Sequence, residues 1–212
     1  MVVPPTSPTD PETPGRAPSA DDNRVMNDDK PSLRRLFRAR RRDFVASLSA
    51  DRRAGLEHDL AAVVTPLLKG YRVAATYAAQ GPEIDPRAIG ALLCPHAFPR
   101  ICDGQLFFHI AALPDLVAGP GTIPEPSETA PLVTPDLVLV PLVAAAPDGS
   151  RLGQGGGYYD GVLKSLRARG PVVAIGLAWD VQIAESLPLD PWDERLDHIA
   201  TPSHLVDCAR RG

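Results

Sequence analysis

A chain of 212 residues that is 44% apolar can build one domain of ordinary size with a substantial core, and its formal charge of −4 argues against a general nucleic-acid binder. Its three cysteines, Cys94, Cys102 and Cys208, show no CxxC spacing, which speaks against a structural zinc site and for reduced thiols in a cytoplasmic protein. No apolar run approaches the roughly 18 residues of a bilayer span, and the N-terminus lacks the apolar core of a signal peptide, so no membrane partner is expected.

Residues 1–29 are rich in Pro, Ser, Thr and Asp and nearly free of large apolar side chains, a composition that cannot offset the entropy of ordering. This predicts a disordered tail, with residues 30–212 as a single domain and Met26, inside the tail, as a candidate for the natural start. From Lys30, Leu33, Leu36, Phe37, Phe44 and Leu48 recur at helical spacing, with Arg34, Arg35, Arg38, Arg40, Arg41 and Arg42 between them. The pattern predicts a basic amphipathic helix. Pro31 suits a helix N-terminus but restricts the residue before it to extended geometry, which puts Lys30 just outside the helix. Ser49 and Asp51 start a second helix with Leu56, Leu60, Val63, Val64 and Leu67 on its apolar face, ending near Gly70.

Residues 71–78 then read as a strand, 86–93 as a short helix, and 97–101 and 105–110 as strands. Residues 111–134 carry many Pro and Gly and read as one long ordered loop, including Gly119-Pro120-Gly121. The apolar run 137–142 is expected of a strand buried on both faces of a parallel sheet. Residues 158–169 follow as a helix, 172–177 as another buried strand, and 196–200 as a short terminal strand.

Between the strand at 137–142 and the helix at 158 lies Arg151-Leu152-Gly153-Gln154-Gly155-Gly156-Gly157-Tyr158-Tyr159-Asp160. Glycines free of Cβ allow positive φ and a close approach of backbone N–H groups, so such a run ahead of a helix is a plausible polyphosphate cradle. It is neither a Walker loop, which needs Gly-Lys followed by Ser or Thr, nor a Rossmann turn, whose last glycine position is filled by Tyr158. Asp160 falls in the first helical turn, where the helix dipole alone favours a carboxylate. With polyphosphate beside it, a divalent cation would relieve the repulsion, and Mg²⁺ is the natural choice. Lys30 and Arg34 lie four apart on one helical face, suited to phosphate or simply to water. The five histidines show no paired metal spacing, and no nucleophile elbow or Cys-His signature stands out.

These residues resemble the 5-formyltetrahydrofolate cyclo-ligase (methenyltetrahydrofolate synthetase) family. The likeness rests on the glycine stretch through Asp160, the preceding Asp136-Leu137-Val138-Leu139-Val140-Pro141, Lys30-x-x-Leu33-Arg34 and Glu83-Ile84-Asp85. Pro99-Arg100, Gly121-x-Ile123-x-Glu125-Pro126, Gly176-Leu177-Ala178 and Leu196-Asp197-His198-Ile199 follow in the family's order. The resemblance implies a three-layer α/β/α sandwich with a mainly parallel sheet, similar to the sugar-phosphate isomerase/CoA-transferase-like fold. It implies an ATP- and Mg²⁺-dependent conversion of 5-formyltetrahydrofolate to 5,10-methenyltetrahydrofolate, releasing ADP and phosphate. The γ-phosphoryl group goes to the formyl oxygen, and the nitrogen at position 10 attacks, closing the ring before phosphate departs.

Carried over residue by residue, the resemblance implies that Lys30, Arg34, Arg151, Gly153, Gly155, Gly156, Gly157, Tyr158 and Tyr159 bind ATP, with Lys30, Arg34 and Arg151 stabilising transferring charge. Ala78, Glu83, Gln154 and Tyr158 match folate-contacting positions, and Asp160 and Asp197 match Mg²⁺ ligands. The expected form is a monomer acting on two small molecules. Two other readings stay open here: a divergent cyclo-ligase-like ATP-binding protein with another ligand or a regulatory role, suggested by Ala78 and Trp179, and a nucleic-acid module built on the Arg-rich helix.

Overall fold

The computed structural model describes residues 29–93, 96–119 and 123–208. All but Asp29 of the tail expected over 1–29, the candidate start Met26, and Cys94, Pro120 and Gly121 lie outside the described residues.

The chain opens with α1 (Lys30–Ala46) and α2 (Ala50–Val64), each started by a side-chain cap: Asp29 accepts from the Ser32 N–H, and Ser49 from the Arg52 N–H. Lys30 is therefore the first residue of α1 rather than a residue outside it, because Asp29 supplies the extended cap and Pro31 sits within the first turn, where its missing N–H costs nothing. Next come β1 (Ala74–Ala75), α3 (Arg87–Gly90), β2 (His96–Cys102) and β3 (Gln105–Ile110). Then follow β4 (Val117–Ala118), β5 (Pro124–Glu125), β6 (Leu132–Val133), β7 (Leu137–Pro141), β8 (Ala144–Ala145) and β9 (Arg151–Leu152). The chain continues through α4 (Tyr158–Arg169), β10 (Val173–Leu177), β11 (His198–Ala200) and β12 (Leu205–Asp207).

The main sheet runs β12-β11-β10-β7-β1-β2-β3-β6, with parallel pairing from β11 through β2 and antiparallel strands at both edges. Strand β7 sits near its middle, and its alternate residues feed two cores. Leu137 and Leu139 pack with Leu60 and Val64 of α2 and Ile89 of α3, while Val138 and Val140 pack with Leu163 and Leu166 of α4. Helices thus cover both faces, which is why β7 reads as a continuous apolar run. A third cluster joins Leu33 and Phe37 of α1 to Ala144, Leu152 and Val143, seating α1 on the small β8-β9 ribbon that carries the glycine loop.

Several expectations are corrected. Only Ala74 and Ala75 of the span 71–78 form the strand, because the Asp136 carboxylate takes the N–H groups of Arg72 and Val73, and past Thr76 the chain leaves the sheet. The helix expected over 86–93 shrinks to four residues. The loop at 111–134 contains β4, β5 and β6, whose two-residue lengths are too short for periodicity to register. The strand near 200 is not terminal, since β12 turns back to pair with it antiparallel.

Candidate active site

A cavity of about 570 Å³ opens beyond Pro141, the last residue of β7, at the carboxyl ends of the parallel strands where α/β sheets hold ligands. One wall is the glycine loop with the start of α4. The others come from residues 77–83, from Pro99, Ile101 and Leu106 of the β2-β3 hairpin, from residues 123–125, and from residues 190–193.

The loop has the geometry its glycines permit. Gly155 (φ +110°) and Gly157 (φ +67°) occupy left-handed conformations that L side chains rarely adopt. A Cβ on Gly156 would lie 2.6 Å from the Tyr158 ring, so the backbone and that ring are in close contact. Gly157 caps α4 without any side-chain hydrogen bond, which leaves the N–H groups of the first turn directed at the cavity end of the helix for an anion.

Three cations, Lys30, Arg34 and Arg151, line this cavity. Arg34 donates from Nε to the Gly153 carbonyl at 3.0 Å, and Lys30 pairs with Asp190 at 2.6 Å and with Asp193. Burial lowers the Lys30 pKa, but bonds to the two carboxylates outweigh it and leave the ammonium raised above its ordinary value. Arg151, 7% exposed, donates to the Glu194 carbonyl and to Asp160 Oδ1 at 2.7 Å. Its burial pulls the guanidinium pKa down, opposed by Asp160 and Asp193, and an arginine remains charged. Tyr159 is half-buried, its phenol pushed well above the usual value by burial and then by the Glu83 carboxylate.

The residues matched to folate contacts share the cavity. Glu83, 9% exposed, accepts from the Gln80 N–H at 3.0 Å and from Gln154 Nε2 at 3.2 Å, which ties the 80–83 turn to the glycine loop. That turn is held from behind: Arg53 of α2 donates to the Glu83 carbonyl, Trp179 Nε1 to the Pro82 carbonyl, and the Tyr77 hydroxyl to the Ile84 carbonyl. Ala78 and Tyr158 line the same cavity. Trp179 is fully buried against Phe44, so it braces the turn and does not face the ligand space.

Asp160 lies in the first turn of α4 on the cavity wall, where Oδ1 accepts both Arg151 and the Glu194 N–H. Asp197 is not brought to it. The residue precedes β11 beside Ala174, at the amino end of the parallel strands, and its carboxylate accepts the Ala174 N–H and Arg167. The cavity lies at the opposite, carboxyl, end of the same strands. Among the described residues, no group of three His, Cys, Asp or Glu side chains is placed to hold a metal ion.

The model of the 5-formyltetrahydrofolate cyclo-ligase family matches residues 27–202. The chain belongs to that family. The cyclo-ligase of Escherichia coli (strain K12) is 34% identical over 123 residues, covering 56% of this chain and 67% of that protein. The mitochondrial cyclo-ligase of Arabidopsis thaliana is 34% identical over 125 residues, covering 49% and 44%. Among solved structures, the 5,10-methenyltetrahydrofolate synthetase of Aquifex aeolicus superposes with a TM-score of 0.70 at 27% identity, covering 86% of this chain and 94% of that one. That of Mycoplasma pneumoniae shares the fold, with a TM-score of 0.64 at 22% identity over 82% and 99%.

Sequence reasoning missed several residues that hold this site together. Arg38 donates to the Gln154 side chain and carbonyl, and Arg41 donates to the Leu142 carbonyl, 3.8 Å from Glu83. The signal was present: Lys30, Arg34, Arg38 and Arg41 follow 4-4-3 spacing, one stripe of a helix. Arg34 and Arg38 of that stripe bond the glycine loop, while Arg35, Arg40 and Arg42 lie exposed on the rest of α1. Asp190 and Asp193 carried no local signal, because their partner Lys30 lies 160 residues from Asp190, and Trp192 beside them carried none of its own.

Proposed function

We propose that this chain converts 5-formyltetrahydrofolate to 5,10-methenyltetrahydrofolate with cleavage of ATP to ADP and phosphate. The observation that supports the reading is the bond between Glu83 and Gln154: it joins a carboxylate, a group suited to a pterin edge, to the glycine loop, whose free N–H groups suit phosphate. A formamide oxygen is a poor leaving group. Moving the γ-phosphoryl group onto it gives an iminium phosphate; the nitrogen at position 10 then attacks the formyl carbon and gives up its proton to solvent, and phosphate leaves with the oxygen.

In this reading the protein contributes position and charge. Glycine-loop N–H groups and the open first turn of α4 receive phosphate oxygens, and Arg34, Arg151 and Lys30 offset the charge that spreads during transfer. Glu83, fixed by Gln80 and Gln154, accepts paired hydrogen bonds from the pterin and holds the formyl group toward the loop. Asp160 would hold a Mg²⁺ ion through Oδ2, because Oδ1 takes both protein donors and Oδ2 takes neither. The ion would supply further charge neutralisation on the phosphates. Asp197 is left out of this set. We further propose that the chain acts as a monomer, in the cytoplasm.

The test is direct. Purified protein mixed with 5-formyltetrahydrofolate and Mg-ATP is expected to generate the near-ultraviolet absorbance of the methenyl product. ATP binding without product would reject this reaction in favour of a divergent ligand.

A further inference from the structure

We propose that Trp192 is the platform on which the base of the nucleotide stacks, an inference that rests on the ATP reading above. Trp192 is 65% exposed, the most exposed large apolar side chain among the described residues, and it lies on the cavity wall. Isolated exposed apolar residues need no explanation. Here the neighbours supply one. Lys30 bonds Asp190 and Asp193 on either side of the indole, the Asp193 carboxylate accepts the Asp190 N–H at 2.8 Å, and Arg151 holds the next carbonyl, that of Glu194. The turn presenting Trp192 is thus pinned by two of the cations assigned to phosphate.

The order of groups in the nucleotide then decides the occupant. The γ-phosphate must reach the formyl oxygen on the side of Glu83 and Gln154, and Lys30 and Arg151 grip the phosphate chain. The base therefore leaves the cation cluster on the side away from Glu83. Four aromatic side chains line the cavity, Tyr77, Tyr158, Tyr159 and Trp192. Tyr77 is buried under the Glu83 turn, Tyr158 lies against Gly156 in the glycine loop, and Tyr159 is half-buried beside them. Trp192 alone of the four sits on the 190–193 turn that Lys30 holds. An indole face offers a purine ring a stacking surface without demanding particular hydrogen bonds.

The chain has two indoles, and Trp179 is fully buried, so emission changes on ligand addition report on Trp192. Mg-ADP is expected to quench tryptophan emission with the dissociation constant that equilibrium dialysis gives, and the quenching should vanish in Trp192→Leu. In Trp192→Leu the dissociation constant for Mg-ADP should rise about tenfold. Trp192→Phe should restore most of it, and tripolyphosphate, which has no base, should bind wild type and Trp192→Leu equally. Unchanged Mg-ADP affinity in Trp192→Leu overturns the inference while leaving the ATP reading intact. Equal weakening of Mg-ADP and tripolyphosphate also overturns it, by assigning Trp192 to the shape of the turn. Weakened 5-formyltetrahydrofolate binding with intact Mg-ADP binding overturns it in favour of a pterin platform. A wild-type chain that takes up neither Mg-ADP nor Mg-ATP in dialysis overturns both the inference and the reading beneath it.

Discussion

Arg151 and Asp160 meet at 2.7 Å across the two ends of the glycine loop, with the arginine side chain only 4% exposed. The pair closes the loop into a ring of fixed size. It also holds a buried positive charge at the mouth of α4, where transferring phosphate would lie. Arg151→Ala should therefore lower turnover about 10²–10³-fold. Arg151→Lys should recover little, since one ammonium cannot reproduce the fork that serves both Asp160 and the Glu194 carbonyl. Steady-state rates at saturating substrates decide it, and turnover within threefold of wild type would remove Arg151 from the mechanism.

The two aspartates separate by their positions in the sheet. Asp160→Asn is expected to raise the Mg²⁺ concentration for half-maximal activity about tenfold or more, because it removes charge at the cavity wall. Asp197→Asn should leave that concentration unchanged and instead reduce stability by about 1 kcal/mol, through weakened bonds to Arg167 and the Ala174 N–H. A Mg²⁺ titration of each variant beside a urea melt reads both effects. A shifted Mg²⁺ curve for Asp197→Asn would contradict the assignment.

Gly157 adopts φ +67° with open space around its missing Cβ, so Gly157→Ala tests backbone strain without steric clash. The left-handed conformation should cost about 1–2 kcal/mol. For a domain of this size that corresponds to a fall in Tm of roughly 2–8 °C. If the loop relaxes instead, Tm stays high while the Michaelis constant for ATP rises, because the N–H groups turn away. A variant unchanged in both Tm and ATP dependence would show that the loop conformation is unimportant.

Asp136 links pH to stability. Burial raises its pKa, but the N–H groups of Val73 and Arg72 and the Arg72 side chain outweigh that and hold it below the ordinary carboxylate value. A depressed folded-state pKa contributes stability above the unfolded value of about 3.9, and that contribution is lost as pH falls through the folded value. Asp136→Asn should thus be less stable than wild type at pH 7, with the gap narrowing below about pH 4. Denaturation midpoints at a series of pH values test this, and a gap independent of pH would refute it.

Much of the fold was legible because it depends on local pattern. The apolar run of β7, the capped starts of α1 and α2, and the glycine stretch each state their role within a few residues. The weaker points share a physical cause. The two-residue strands β4, β5 and β6 are defined by their partners, and β1 is cut short by the carboxylate of Asp136, more than 60 residues away. Likewise, the glycine loop, Glu83 and Asp160 were visible as candidates, whereas the placement of Asp197 followed only from knowing which end of β11 it precedes. Trp192 and its flanking aspartates could not be assigned from their own composition, since an Asp- and Pro-rich segment reads as an ordinary turn.

The ion pair of Lys30 with Asp190 has a consequence in time. The two residues are 160 positions apart, so at synthesis rates of 5–20 residues per second Lys30 is made roughly 8–32 s before its partner. Helix α1 can form and cap itself early, from Asp29 and Ser32 alone. Its ammonium must wait, and nascent chains lacking residues 190–193 would carry the glycine loop without the wall that faces it. Competence for nucleotide is then a late event in the life of the chain, acquired only after most of the sheet has been made.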